Sequence, residues 1–198
     1  MTVDIVKTGV ANLASVIAAF ERLDTKVRLV SSPADVRDSA RLVLPGVGAF
    51  GAAMEELHRL NLVDALRTRI ERNLPTLAVC LGLQLLAEQS EESPGVLGLG
   101  VLDASVTAFR GAVRVPQMGW NHVEPDPSSR WLESGFAYFA NTYKLDALPP
   151  GWSGGHAHHG APFVAAIERG PVLACQFHPE LSGAWGTALL RRWATESC

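Results

Sequence analysis

The sequence predicts an α/β fold in which a doubly wound, mostly parallel sheet is continued by an antiparallel extension. Three observations carry this reading. Apolar runs of strand length alternate with segments of helical spacing through the first half of the chain. Two of those runs end in glycine-containing turns, Pro45-Gly46-Val47-Gly48 and Cys80-Leu81-Gly82, where such sheets gather ligands at the carboxyl ends of their strands. Beyond residues 91–95 the spacing changes to short extended segments divided by Pro, Gly and Asp turns.

In order, residues 1–7 read as a first strand; Asp4 and Lys7 fall inside it, so it is not the apolar region of a signal peptide. Asn12 is placed to cap a helix with Leu13, Val16, Ile17 and Phe20 on one face. Residues 26–30 form the second strand, and Ser31 or Ser32 before Pro33 starts a short helix. Residues 41–44 form the third strand. Phe50, Met54 and Leu57 then mark one helix face, and Leu62, Leu66 and Ile70 another. Pro75 opens the fourth run, Leu77 to Val79, apolar throughout as a buried parallel strand requires. After Gly82 the spacing is helical again, with Leu85 and Leu86 on one side and Glu88 on the other. Residues 101–109, 122–124, 136–140 and 163–168 read as the antiparallel strands, residues 172–175 as a further apolar run, and Trp185, Ala188, Leu189 and Trp193 as the face of a closing helix. No repeat or linker divides the chain, so residues 1–198 are expected to form a single domain.

A chain of 198 residues is long enough to bury roughly 70% of its unfolded surface without disulfides or metals. A net charge of −3 leaves no basic face for nucleic acid or an anionic membrane, and no apolar run has the length of a membrane span. Three scattered cysteines, at 80, 175 and 198, make no disulfide framework; the expected compartment is the reducing cytoplasm.

The chemistry concentrates at Cys80, which the pattern puts at a strand-to-helix elbow. There unpaired backbone N–H groups and the positive end of a helix dipole favour thiolate over thiol. Gly82 lacks a Cβ and admits close approach of backbone or substrate. A small buried hydrophobe is the other reading of Cys80, and this stretch alone leaves both open. A base is available in Gln176-Phe177-His178-Pro179-Glu180. If that segment is extended, His178 and Glu180 face the same way, and a carboxylate beside a histidine selects its tautomer and stabilises its protonated form. Cys175, three residues before His178, falls on the opposite face in the core, and His58 and His122 read as structural.

Cys80-Leu81-Gly82-Leu83-Gln84 taken with residues 176–180 is similar to the class I glutamine amidotransferases, whose fold is flavodoxin-like. Residues 44–50, residues 115–121 and residues 176–183 resemble the glutaminase subunits of imidazole glycerol phosphate synthases, and the likeness spans nearly the whole chain. The resemblance implies that the Cys80 thiolate attacks the side-chain amide of L-glutamine, with His178 as acid and base and Glu180 orienting it. It implies an oxyanion hole from the N–H groups of Leu81 and Val47, the latter in a turn that flips in this family when the partner binds its own substrate. Gly46, Gly48, Gln84, Asn141, Thr142 and Tyr143 are the implied substrate-pocket residues. The implied partner is a (β/α)₈-barrel cyclase that joins the ammonia to a phosphoribulosyl-formimino-AICAR-phosphate, giving imidazole glycerol phosphate and AICAR in histidine biosynthesis. Asn12, Trp120, Tyr138 and Leu181 are expected near that interface. No cofactor is implied, and no P-loop or basic cluster serves the phosphorylated substrate here.

The chain departs from that family at Ala78, where glycine is usual, at Gln117 and Asn141, where histidine is common, at Leu181, where lysine usually stands, and along residues 7–12. His156, His158 and His159 invite a zinc site, but without a carboxylate or cysteine neighbour and in what reads as a glycine-rich turn, no metal is expected. A glutaminase serving another synthase such as anthranilate synthase, a stand-alone cysteine hydrolase and a binding-only relative are the rival readings.

Overall fold

The computed structural model describes residues 1–7 and 13–196. Its first half alternates as expected: β1 (Thr2–Val6), α1 (Leu13–Glu21), β2 (Lys26–Val30), α2 (Pro33–Asp38), β3 (Leu42–Gly46), α3 (Phe50–Arg59), α4 (Val63–Glu71) and β4 (Thr76–Cys80), followed by the short α5 (Leu81–Leu85). Ser32 caps α2, its hydroxyl accepting from the Asp35 N–H at 3.1 Å. The cap expected from Asn12 on α1 lies outside the described residues.

The second half holds β5 (Gln89–Ser90), β6 (Ser105–Ala108), β7 (Gln117–Pro125), β8 (Gly135–Asn141), β9 (Tyr143–Lys144), β10 (Ser153–His159), β11 (Ala161–Arg169), β12 (Val172–Cys175) and the closing α6 (Gly183–Thr195). The main sheet runs β2-β1-β3-β4-β12-β11-β10-β7-β8. β2 through β12 in that order pair parallel, and the four strands beyond pair antiparallel, so the antiparallel extension is real.

Both faces of the parallel part are covered, which is why its strands read as continuous apolar runs. Leu42, Leu44, Ala78, Val172 and Ala174 join the core beneath α3 and α4, whereas Val43, Leu77, Val79, Leu173 and Cys175 join the core that Phe20 of α1 and Trp193 of α6 complete. Cys175 is fully buried, as expected. On the first of these faces Arg69 is buried, its guanidinium donating to the carbonyls of Val36, Ser39 and Pro75 and to Thr76 Oγ1, so that it ties α2 and α4 to the start of β4.

Several expectations are corrected. β3 continues through Pro45 and Gly46, which pair with Val79 and Cys80, so half of the glycine turn belongs to the strand. The helix after the elbow begins at Leu81, ahead of Gly82, and ends at Leu85. Of residues 101–109 only β6 is strand, and it pairs with β5 and β9 in a separate small sheet. The segment holding His156, His158 and His159 is no turn: it is β10, hairpinned with β11. In α6 Ala188 faces solvent, and the buried face is Gly186, Leu189, Leu190, Trp193 and Ala194.

Candidate active site

Cys80 ends β4 at φ 53° and ψ −109°, a left-sided conformation that a side-chain-bearing residue adopts only under constraint. The constraint is close packing of β3 against α5. A Cβ on Gly82 would stand 2.3 Å from the Leu44 carbonyl oxygen, and one on Gly46 would stand 2.6 Å from the Gly82 nitrogen. Glycine at these positions lets the end of β3 lie beside the elbow, where Gly46 pairs with Cys80. Cys80 itself is buried, with 7% of its surface exposed.

His178 follows β12 and is held by its backbone: its N–H donates to Tyr138 O at 2.9 Å, and its carbonyl accepts from Ser182 Oγ at 2.6 Å. The expectation that His178 and Glu180 align along an extended segment is corrected. Pro179–Leu181 is a 3₁₀ turn, and it folds Glu180 back so that its Oε1 lies 2.8 Å from His178 Nδ1. With Nδ1 so engaged, Nε2 is the ring nitrogen left free to serve Cys80, which lines the same cleft. Burial works against a charged imidazole, but its interactions with Cys80 and with Glu180 outweigh it and raise His178 to about 10.

A cleft of ≈ 300 Å³ opens over the sulfur, bounded by Val47, Gly48, Leu81, Gln84, Glu92, the segment 140–143 and His178. It unites every expected pocket residue except Gly46, which instead borders a small crevice with Val16, Pro45 and Glu180 because its Cα packs against the elbow. Gln84 lines the cleft from a buried position, with its amide nitrogen donating to Tyr143 O and to Gln176 Oε1, each at 3.0 Å, and its Oε1 left over. Asn141 Nδ2 donates to the same Tyr143 carbonyl at 3.0 Å, leaving Asn141 Oδ1 buried without a partner. Gln117, the cross-strand neighbour of Asn141, likewise has a buried, unpartnered Oε1.

Two residues of the site escaped sequence reasoning. Glu92 lines the cleft and its carboxylate accepts from the Phe50 N–H at 2.7 Å, capping α3 just past the glycine turn. It sits in an acidic loop with no periodicity, and only its place between the elbow and the first antiparallel segment marks it. Gln176 belongs to the motif that carries the family resemblance, which implies no task for it.

On the far face of β7 and β8, Met118, Trp120 and Phe136 are exposed at 68%, 58% and 58%, and Trp120 meets half-buried Tyr138 edge-on with centroids 6.2 Å apart. Leu181 is exposed as well. Asn12 lies outside the described residues. Of the three histidines in β10, His156 faces Asp126 at 3.5 Å and His159 meets the Arg114 carbonyl at 2.8 Å.

Residues 3–196 match the family Glutamine amidotransferase class-I, which assigns the class. A crystal structure described as that of a glutamine amidotransferase superposes with a TM-score of 0.77 at 24% identity, covering 96% of each chain, and shares the fold. More narrowly, the chain belongs to the HisH family of imidazole glycerol phosphate synthase subunits. It is 38% identical to subunit HisH of Herpetosiphon aurantiacus over 96% of this chain and 91% of that one. It is 42% identical to subunit HisH of Thermus thermophilus over 92% and 91%.

Proposed function

We propose that residues 1–198 work as one cytoplasmic glutaminase domain, the glutamine amidotransferase subunit of an imidazole glycerol phosphate synthase. The observation that carries this is the buried Cys80 at its strained elbow, sharing one cleft with an imidazole that Glu180 holds at 2.8 Å.

The Cys80 thiolate attacks the amide carbon of L-glutamine, and the carbonyl electron pair moves onto oxygen. The Leu81 and Val47 N–H groups receive that oxyanion; one such donor is worth about 10²–10³ in rate. As the oxyanion collapses, His178 gives its proton to the departing nitrogen, which leaves as ammonia. A γ-glutamyl thioester remains. Water then attacks the thioester while His178 takes its proton, the thiolate is expelled, and glutamate leaves. Only protons move between side chains, so the reaction needs no cofactor. Gly48 leaves room at the turn, the Glu92 carboxylate matches the α-ammonium group, and Gln84 Oε1, Asn141, Thr142 and Tyr143 complete the pocket.

Free ammonia is protonated and diluted in water, so its value lies in direct capture. The partner is the (β/α)₈-barrel cyclase, which makes imidazole glycerol phosphate and AICAR. Trp120, Tyr138 and Leu181 supply part of its docking face, since exposed aromatics are common anchors. A net charge of −3 gives no surface for nucleic acid, and no helix among the described residues is long and apolar enough to cross a membrane. Glutamate release is measured with and without the cyclase and its ligand. The expected result is weak activity alone and strong activity in the complex, abolished by Cys80→Ala. Full activity of the isolated chain removes the coupling, and activity in Cys80→Ala removes the reading.

A further inference from the structure

The reaction as written gives no task to Gln176, yet this residue reaches the sulfur. It is fully buried after β12, with its backbone N–H donating to Ala165 O at 2.8 Å, and its side-chain Nε2 lies 3.8 Å from Cys80 Sγ. Which end of a side-chain amide is nitrogen follows from its partners. The Tyr143 carbonyl can only accept, so Gln84 must turn its NH₂ toward it. That same NH₂ meets Gln176, which must answer with its oxygen. The NH₂ of Gln176 is thereby left facing the sulfur. A run of forced polarities leads from one backbone carbonyl to the nucleophile, and Asn141, donating to the same carbonyl, leaves its direction unchanged.

We propose that Gln176 is a catalytic residue that donates an N–H to the sulfur of Cys80, with Gln84 and the Tyr143 carbonyl as the positioning groups that aim it. This deepens the glutaminase reading and rests on Cys80 being the nucleophile. His178 does not serve the sulfur evenly through the cycle: having given its proton to ammonia it is neutral and turned to water at the thioester stage, and it is charged again only after it has taken the water's proton. An amide N–H does not titrate in this range and donates equally at both stages. A hydrogen bond to a charged atom corresponds to about 10- to 100-fold in rate.

The test uses the full chain in complex with its cyclase. Gln176→Met keeps the length and removes the donor; Gln176→Glu puts a carboxylate against the sulfur. The expected results are kcat lower by about 10- to 100-fold in Gln176→Met, further lowered in Gln176→Glu, with KM for glutamine changed by less than about 2-fold. Alkylation of Cys80 by iodoacetamide, followed on its own peptide because Cys175 and Cys198 are also thiols, then needs more alkaline pH in both variants. Unchanged kcat and an unchanged alkylation profile, with Cys80→Ala inactive, overturn this inference alone; an active Cys80→Ala overturns it together with the glutaminase reading. If neither variant folds, the unmutated chain decides by NMR. A Gln176 side-chain NH₂ resonance that moves with pH and is stationary in Cys80→Ala supports the bond, and one that is stationary in both removes it.

Discussion

His178 and Glu180 meet at 2.8 Å because a 3₁₀ turn, and not a strand, joins them. The turn makes Glu180 part of the same rigid loop as the imidazole it serves, while its second oxygen, Oε2, stays buried without a partner. Glu180→Gln keeps the shape but puts a neutral amide against Nδ1. The expected outcome is a loss of about 10²-fold in kcat with little change in KM. An NMR titration should also find His178 below the wild-type value of about 10, since one of the groups that raise it is gone. An unmoved titration removes Glu180 from the orienting role.

The pH dependence follows from the same group. His178 titrates near 6.5 in an unfolded chain and at about 10 here. A raised basic group stabilises the fold fully below its unfolded value and loses that contribution as pH rises through its folded one. The melting-temperature gap between wild type and His178→Ala should therefore be constant below about pH 6.5 and narrow steadily toward pH 10. Glutaminase activity should fall on the alkaline side as the imidazolium is lost. A gap that widens with pH contradicts the assignment.

Gly82→Ala drives a methyl to 2.3 Å from the Leu44 carbonyl oxygen, a contact with backbone that no side-chain rotation relieves. The elbow must part from β3 or the helix must shift. The expected cost is about 1–3 kcal/mol of stability with near-complete loss of glutaminase activity, checked by denaturant unfolding and glutamate release. Wild-type activity in this variant means the elbow tolerates displacement.

The parallel half of the fold was legible because strands covered on both faces are apolar throughout and their helices keep a regular stripe, as at Phe50, Met54 and Leu57. Cys80, His178 and Glu180 were legible because few residue types do nucleophilic and proton-transfer work. The strand β10 was not, because Gly154 and Gly155 punctuate it like a turn. They are glycine for another reason: a Cβ on Gly154 would stand 2.0 Å from the Ala166 carbonyl, and the ladder shifts register between Gly155 and His156. Glu92 and Gln176 were missed because their partners, Phe50 and Gln84, are 42 and 92 residues away, a closeness that only the folded sheet creates.

Arg69 gives a stability prediction away from the site. Burial lowers its pKa to about 10 despite the opposing influence of Asp4, yet its guanidinium satisfies four carbonyls and the Thr76 hydroxyl. Arg69→Met keeps an apolar stem and abandons those acceptors in the interior. The expected loss is about 3–5 kcal/mol, or about 10 °C in melting temperature for a chain of this size. A shift under about 2 °C would mean that water replaces the guanidinium.

Trp120 separates packing from docking. At 58% exposed, with an edge-on contact to Tyr138 as its ring partner, it contributes little to the fold, so Trp120→Ala should move stability by no more than about 0.5 kcal/mol. If the face it shares with Met118 and Phe136 seats the cyclase, the same change removes a large aromatic from the interface. Affinity measured by calorimetry should then fall by about 30-fold, the scale of a binding hot spot. The activation of glutamate release by the partner should weaken at sub-saturating cyclase and recover at saturation, because the lost contact is in binding and not in the chemistry at Cys80. Unchanged affinity would place the cyclase on a different face of the sheet.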